Sequence, residues 1–169
     1  MERIVIVGFP GAGKSSVGRR LAARLNWNFV DTDTYFESKY HISIPDFFSK
    51  YGEDFFRISE ATVLKEVLKL SHVVISTGGG MPCFFENMDL IVSSSCAVYL
   101  KLSPKSLATR LAVSHKVRPL VTGNGLEEIT EYVEKTLVER EVFYSRAQIT
   151  VKGESLVLDD LLALLRDSA

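Results

Sequence analysis

The sequence has few cysteines, no long apolar run and almost no net charge. Its two cysteines, Cys83 and Cys96, lack the C-x-x-C spacing, so neither a disulfide framework nor a cysteine-ligated metal site is expected. No apolar run approaches the roughly 18 residues that a membrane span needs. The formal net charge of −1 gives no basic field for nucleic acid. With no signal-like leader before the first strand pattern, these features predict a cytoplasmic protein that binds neither membranes nor nucleic acid, and we expect a monomer.

Acidic residues are absent from one long segment. Between Leu90 and Leu126 there is no Asp or Glu, whereas Lys and Arg occur at five positions: Lys101, Lys105, Arg110, Lys116 and Arg118. A cationic segment in a nearly neutral protein suits a small anionic ligand, although a solvated basic surface would have the same composition. Pro119 and the turn at 123–125 predict a loop longer than about ten residues. Such loops often close over a site as a lid, and a surface loop without a role is the alternative.

Short β-branched runs alternate with longer helical patterns, which predicts an α/β protein. The expected arrangement is three layers, α/β/α, around a central five-stranded parallel sheet, and 169 residues suit a single domain. The predicted strands are about 3–8, 28–31, 72–76, 95–101 and 147–152. The predicted helices are about 13–25, 33–40, 44–70 (broken near Gly52), 83–92, 103–111, 126–145 and 155–167. Ligands of such sheets lie beyond the carboxyl ends of the strands.

The first strand is followed by a complete Walker A pattern, G-x-x-x-x-G-K-[ST], from Gly8 to Ser15. In this setting backbone N–H groups surround a phosphate and the next helix points its positive end at the same anion. Lys14 can reach the β- and γ-phosphates, and the Ser15 hydroxyl can bind Mg²⁺. A glycine-rich turn without a ligand is the alternative, but the pattern indicates a nucleoside triphosphate site that includes Gly11, Ala12, Gly13 and Ser16.

Polar and glycine-rich segments follow the next two strands. Asp31 and Asp33 close the second strand; one carboxylate can contact hydrated Mg²⁺ and the other an acceptor hydroxyl, or either can cap the following helix. The two carboxylates point the same way if the strand continues and diverge if a helix begins. Gly78, Gly79 and Gly80 follow the third strand, where a close backbone approach to a second substrate would explain three successive glycines. A tight turn is the alternative.

Two arginines lie where a charge needs a partner. On a helical wheel Arg140 shares an arc of about 80° with apolar residues: Leu126, Ile129, Val133, Leu137 and Tyr144. A carboxylate or phosphate ligand, or a buried structural salt bridge, would satisfy its charge. Arg57 follows two phenylalanines, and Glu60 lies three residues further on, close enough on a helix to orient it.

Taken together, these motifs resemble the shikimate kinases along nearly the whole chain. The matching segments are the Walker A loop, 29–33, 52–57 with Glu60, Gly78 to Gly80, the sequence Arg118-Pro119-Leu120, and Arg140 followed by Tyr144. The resemblance implies the P-loop fold of the nucleoside monophosphate kinases, with a mobile lid at about 112–124 and an acceptor-binding helical region at about 33–60. It implies ATP-dependent phosphorylation of the 3-hydroxyl of shikimate, in the pathway to chorismate and the aromatic amino acids, with Mg²⁺ as cofactor.

The resemblance also implies roles for individual residues. Ser15 would bind Mg²⁺ and Asp31 would act on it through water, while Lys14, Asp33 and Arg118 would be catalytic. The other residues beside ATP would be Arg110, stacked on adenine, and Lys152, bordering it. The shikimate-binding set would be Asp33, Arg57, Gly78, Gly79, Gly80 and Arg140, with both arginines on the carboxylate.

Other functions fit parts of the pattern. A gluconate kinase, or a kinase of another small carboxylated polyol, would use the same two arginines. A nucleoside monophosphate kinase should have more basic residues around its acceptor site. A non-catalytic binding module derived from a kinase is the alternative outside enzymes, but Lys14, Asp33 and Arg118 are all present.

Overall fold

The apolar runs of the sequence form one parallel sheet. The structure, a computed structural model, describes residues 1–114 and 125–168. Five strands pair in the order β2-β3-β1-β4-β5, all in parallel. Their bounds are β1 Arg3–Val7, β2 Asn28–Asp31, β3 Val73–Ser76, β4 Cys96–Lys101 and β5 Ile149–Lys152. The predicted five-stranded parallel sheet is confirmed.

Helices cover the sheet. Ile4 to Val7 in β1 are each at most 1% exposed. Since successive side chains of a strand point to opposite faces, both faces of the sheet are covered at β1. The helices are α1 Lys14–Leu25, α2 Thr32–Tyr40, α3 Ile44–Val67, α4 Asn87–Ser94, α5 Pro104–Ala112, α6 Leu126–Tyr144 and α7 Leu158–Asp167, with 3₁₀ helices at Met81–Cys83 and Gly153–Ser155.

The starts of the helices follow from their capping residues. The side chains of Ser43 and Ser103 accept hydrogen bonds from backbone N–H groups at the starts of α3 and α5. The Asp31 side chain does the same for α2. Helix α1 differs, because its N-cap is Gly13 in the left-handed region (φ 97°) and its first turn has no acidic residue. The positive end of α1 therefore has no carboxylate of its own in that turn, as an anion site requires.

Three boundary predictions are resolved by the backbone. The break expected in α3 is confirmed at Gly52, whose φ of 83° and ψ of 171° are not helical. The helix predicted at 83–92 is wrong at its start: Phe85 is left-handed (φ 52°), so α4 begins only at Asn87. The helix predicted at 155–167 begins at Leu158, because the chain first forms a 3₁₀ turn.

The apolar face of α6 is largely as predicted. Ile129, Val133, Leu137 and Tyr144 are buried, whereas Leu126, at the first turn of the helix, is 56% exposed, so the buried part of this face begins at Ile129. Within the described ranges no helix is both long and apolar enough to cross a membrane.

Candidate active site

The carboxyl ends of β1, β2 and β3 open into one cavity of about 210 Å³. Most of the residues predicted to hold nucleotide line it together with both predicted carboxylates and part of the triple glycine. The lining is Pro10, Gly11, Gly13, Lys14, Ser15, Ser16, Asp31, Asp33, Thr77, Gly78 and Gly79. The sheet therefore brings the P-loop (8–15) and the loops after β2 and β3 to a common space.

The P-loop curls around its own lysine. Lys14 is 7% exposed, and its Nζ donates hydrogen bonds to the carbonyl oxygens of Gly8 and Phe9, both at 2.9 Å. Gly11 and Gly13 have φ of 84° and 97°, a conformation that side chains rarely adopt. The predicted nucleotide residue Ala12 is buried and is not among the residues that line the cavity.

The two aspartates diverge, because α2 begins at Thr32. The Asp31 carboxylate accepts hydrogen bonds from the hydroxyl of Ser15 and from the backbone N–H groups of Asp33 and Thr34. Asp31 is therefore the N-cap of α2, as one of the two alternatives predicted, and it also contacts Ser15 of the P-loop. Asp33 lies towards the triple glycine instead, with Oδ1 2.7 Å from where a Cβ on Gly78 would be.

The triple glycine is packed closely on three sides. The Gly78 N–H donates to Thr32 Oγ1 at 3.0 Å, and the Tyr144 hydroxyl donates to the Gly79 carbonyl at 2.6 Å. A Cβ on Gly79 would lie 2.4 Å from Pro10 Cδ. No side chain larger than hydrogen fits at Gly79 between its own loop and the P-loop. This close approach explains the glycine better than a tight turn does.

A charged cluster adjoins Gly78 and Gly80. Arg57 and Glu60 are 5% and 3% exposed, and Arg57 Nη1 donates to Glu60 Oε2 at 2.9 Å. Burial raises the pKa of Glu60 to about 7, although the hydrogen bond and the charge of Arg57 oppose the rise. A Cβ on Gly80 would lie 2.6 Å from Arg57 Nη1, so this glycine too is needed for a close approach.

Arg140 reaches the same cluster from α6. It is half-buried, its Cζ lies 5.7 Å from the centre of the Phe9 ring, and its charge lowers the pKa of Glu60. No carboxylate of the described residues forms a salt bridge with Arg140. The described contacts thus give no support to a structural salt bridge at Arg140, whereas Arg57 does have one.

Of the three remaining predicted residues, one lies against the P-loop, one does not line the cavity, and one lies outside the described residues. Arg110 Nη1 donates to the Ala12 carbonyl at 3.2 Å, which puts this arginine against the P-loop. Lys152 is exposed at the end of β5, beside Lys101 in the register, and does not line the cavity. Arg118 and the predicted lid from residue 115 onwards lie outside the described residues.

Several groups of the site are not among the residues predicted from the sequence. Ser76 Oγ lies 3.1 Å from Ser15 Oγ, Thr32 holds Gly78, and the Phe84 ring centre lies 4.1 Å from Arg57 Cζ. The position of Ser76 at the end of a buried strand was an available signal. The contact of Phe84 with Arg57 joins distant segments, so spacing in the sequence does not indicate it.

Comparison with known proteins decides the family. The family model described as shikimate kinase matches residues 10–163. The chain belongs to the shikimate kinase family. A shikimate kinase from Parabacteroides distasonis is 40% identical over 159 residues, which cover 94% of this chain and 92% of the relative.

Solved structures agree with this membership. The crystal structure of shikimate kinase from Bacteroides thetaiotaomicron has a TM-score of 0.92 and 34% identity, covering 98% of both chains. Shikimate kinase from Acinetobacter baumannii in complex with shikimate has a TM-score of 0.90 and 30% identity, covering 99% of this chain and 94% of the other.

Family membership confirms the predicted enzyme class and fold. The chain is a kinase of the family that uses ATP to phosphorylate shikimate in aromatic amino acid biosynthesis. The gluconate kinase and the non-catalytic module are correspondingly disfavoured. Its parallel sheet with surrounding helices is the P-loop kinase fold that the resemblance implied.

Proposed function

We propose that this chain transfers the γ-phosphoryl group of ATP directly to the 3-hydroxyl of shikimate, using the residues of the cavity and the adjoining arginine cluster. The observation that supports this most is the shared cavity, which is lined by the P-loop on one side and by Asp33, Gly78 and Gly79 on the other. A nucleotide on the P-loop and an acceptor against the glycines would meet there, and holding two reactants in line is the main requirement of phosphoryl transfer.

On the nucleotide side, the Lys14 ammonium and the backbone N–H groups of the P-loop bind the phosphates. Lys14 Nζ lies against the Gly8 and Phe9 carbonyls, within the loop itself. We expect it to turn from these carbonyls to phosphate oxygens when ATP binds, and to stabilise the charge that spreads over the transferred group.

The residues present fit Mg²⁺. Among the described residues no group of three or more His, Cys, Asp or Glu could hold a metal by itself, but Mg²⁺ in kinases takes few protein ligands besides phosphate and water. Ser15 and Asp31 are two oxygen donors in mutual contact beside the P-loop. Ser15 would bind the ion directly and Asp31 through water; when bound, the ion neutralises phosphate charge.

On the acceptor side, Asp33 faces the shikimate hydroxyl and accepts its proton as the bond from the 3-oxygen to phosphorus forms and the bond to ADP breaks. The separation of the two aspartates supports this division, since Asp31 contacts Ser15 whereas Asp33 lies beside Gly78. Arg57, Arg140 and the backbone from Gly78 to Gly80 hold the carboxylate end of shikimate.

We also propose that the single domain closes during turnover. Arg110 stacks on adenine and Lys152 borders it, and a lid at about 112–124 brings Arg118 to the phosphates. Hydrogen exchange across residues 112–124 should then slow when both substrates bind. Exchange that is unchanged in the ternary complex would argue for a static loop.

The activity itself is tested by measuring ADP formation with shikimate, quinate, gluconate and nucleoside monophosphates as acceptors. We expect shikimate to have the highest kcat/KM and ³¹P NMR to show a phosphate on its 3-oxygen. A preference for gluconate would favour the alternative kinase, and ADP formation with none of the acceptors would favour a binding module. We further propose that the enzyme is a cytoplasmic monomer, which sedimentation of the purified protein would test for the oligomeric state.

A further inference from the structure

Arg57 lies against an aromatic ring that none of the motifs includes. Its Cζ is 4.1 Å from the centre of the Phe84 ring, the shortest such distance between an arginine or lysine and an aromatic ring among the described residues. The Phe56 ring, on the same helix as Arg57, is further away at 5.2 Å. A guanidinium at this distance from a ring face is attracted by the ring quadrupole, most strongly where water is excluded.

The backbone on both sides of Phe84 is held by hydrogen bonds. It follows the 3₁₀ helix Met81–Cys83, in which the Cys83 N–H donates to the Gly80 carbonyl at 2.9 Å. Buried Asn87 donates to the Met81 carbonyl at 2.8 Å. The backbone that carries the ring is therefore held by the turn after the triple glycine, through hydrogen bonds that do not involve Arg57.

Hydrogen bonds alone constrain Arg57 weakly. Its Nη1 bonds to Glu60 at 2.9 Å, its Nη2 reaches Glu53 only at 3.5 Å, and its buried Nε has no hydrogen-bond partner in the described parts of the chain. A guanidinium has five N–H donors in a rigid plane. With one close partner, that plane needs a second constraint to present its other donors in a fixed direction.

We propose that Phe84 is a positioning residue, which holds the Arg57 guanidinium in the orientation that takes the carboxylate of the acceptor. This inference rests on the proposed function of Arg57. A ring that holds the guanidinium in the free enzyme reduces the rotational freedom lost on binding, so its effect falls on acceptor affinity. It makes no contact with the reacting phosphoryl group in this scheme, so the rate at saturation is preserved.

Phe84→Leu tests the proposal, because leucine fills much of the space but has no ring face. We expect the KM for shikimate to rise about five- to tenfold, while kcat and the KM for ATP change less than about twofold. Phe84→Tyr, which keeps the ring, should restore the wild-type KM. Phe85→Leu is the matched control, since Phe85 is the adjacent residue and 64% exposed, and it should behave as wild type.

An acceptor analogue with a carboxamide in place of the carboxylate separates positioning from general packing. Phe84→Leu and wild type should use this neutral analogue equally well, since it does not engage the charge of Arg57. Equal KM values for shikimate in Phe84→Leu and wild type, or the same loss with both acceptors, would overturn the inference while leaving the proposed function intact. If wild type itself does not phosphorylate shikimate, the proposed function fails, and the inference with it.

A substitution at a half-buried position can also damage the fold. Circular dichroism and thermal unfolding would establish that each variant is folded, and isothermal titration of shikimate would measure affinity without turnover. If Phe84→Leu does not fold, Phe84→Met, whose flexible side chain adapts to irregular space, replaces it with the same expectations.

Discussion

Glu60 accepts a hydrogen bond from Arg57 at 2.9 Å in a setting where both side chains are almost fully buried. The pKa of Glu60 is raised to about 7, mainly by burial and also by the charge of Asp33, while the charges of Arg57 and Arg140 oppose the rise. The charge of Glu60 in turn contributes to the raised pKa of the Cys83 thiol, whose main cause is burial. The charge of the acceptor-side cluster therefore changes near neutral pH, unlike that of an exposed glutamate.

The first prediction concerns pH and stability. Since the pKa of Glu60 lies near 7 in the folded protein and near 4.5 when unfolded, the folded state binds more protons between these values. The contribution of Glu60 to stability is thus fully present below about pH 4.5 and is lost as the pH rises to 7. Denaturant unfolding from pH 5 to 8 should show wild type losing stability relative to Glu60→Gln across this window. A constant difference between the two proteins would contradict the raised pKa.

Much of the fold follows from local sequence. The residues from Ile4 to Val7 and from Val73 to Ile75 are apolar and buried on the central strands. Ser43, Ser103 and Asp31 start helices through their own side chains. The helix predicted at 83–92 was wrong only at its start, because Phe85 adopts a left-handed backbone, which a phenylalanine does not signal. This conformation depends on how the turn after the glycines packs, which is a tertiary effect.

The site was predictable where its parts are close in sequence. Arg57 and Glu60 are three residues apart on one helix, so their pairing could be expected. The contacts of Phe84 with Arg57, of Gly79 with Pro10 and of Tyr144 with Gly79 join segments that only the fold brings together. No periodicity or spacing encodes such contacts.

A second prediction separates the two aspartates. Asp31→Asn keeps an N-cap residue for α2, because the asparagine side chain also accepts hydrogen bonds from backbone N–H groups. It removes the negative charge beside Ser15. It should raise the Mg²⁺ concentration needed for half-maximal activity with little loss of stability. Asp33→Asn should lower kcat and leave Mg²⁺·ATP binding nearly unchanged. Kinetics over a Mg²⁺ series and titration with a non-hydrolysable ATP analogue would measure both effects; loss of nucleotide binding in Asp33→Asn alone would reverse the assigned roles.

A third prediction concerns Lys14. Removing a donor that stabilises transition-state charge costs on the order of 10²–10³ in rate, so Lys14→Ala should reduce kcat by at least about that factor. The control is Lys69→Ala, since Lys69 is an exposed lysine after α3. Single-turnover assays at saturating ATP would measure the change, and near-normal kcat in Lys14→Ala would remove this residue from the catalytic set.

A fourth prediction uses the packing of the triple glycine. In Gly79→Ala the new methyl group would lie 2.4 Å from Pro10 Cδ and 2.9 Å from its backbone nitrogen, so the two loops must separate. Because these loops form opposite sides of the cavity, the KM values for ATP and shikimate should both rise. Unchanged KM values for both substrates in a folded Gly79→Ala would show that the contact is not needed for binding.

The last prediction tests the two arginines as a carboxylate site. A hydrogen bond to a charged group contributes about 1.5–3 kcal/mol, and a planar guanidinium can bind both oxygens of a carboxylate, which lysine cannot do. Arg57→Lys and Arg140→Lys should therefore each raise the KM for shikimate at least about tenfold, since ~1.4 kcal/mol is a factor of ten. The KM for ATP should hardly change.

Two comparisons make this test specific. Arg24→Lys is the control for the change from arginine to lysine. Arg24 forms an exposed ion pair with Asp159 and lies in the last turn of α1, at the opposite end from the P-loop. The carboxamide analogue should be a poor acceptor for wild type and should lose nothing further in either arginine variant. If wild type phosphorylates the neutral analogue as well as shikimate, Arg57 and Arg140 have a structural role only, because a group that recognises charge must distinguish a carboxylate from an amide of the same shape.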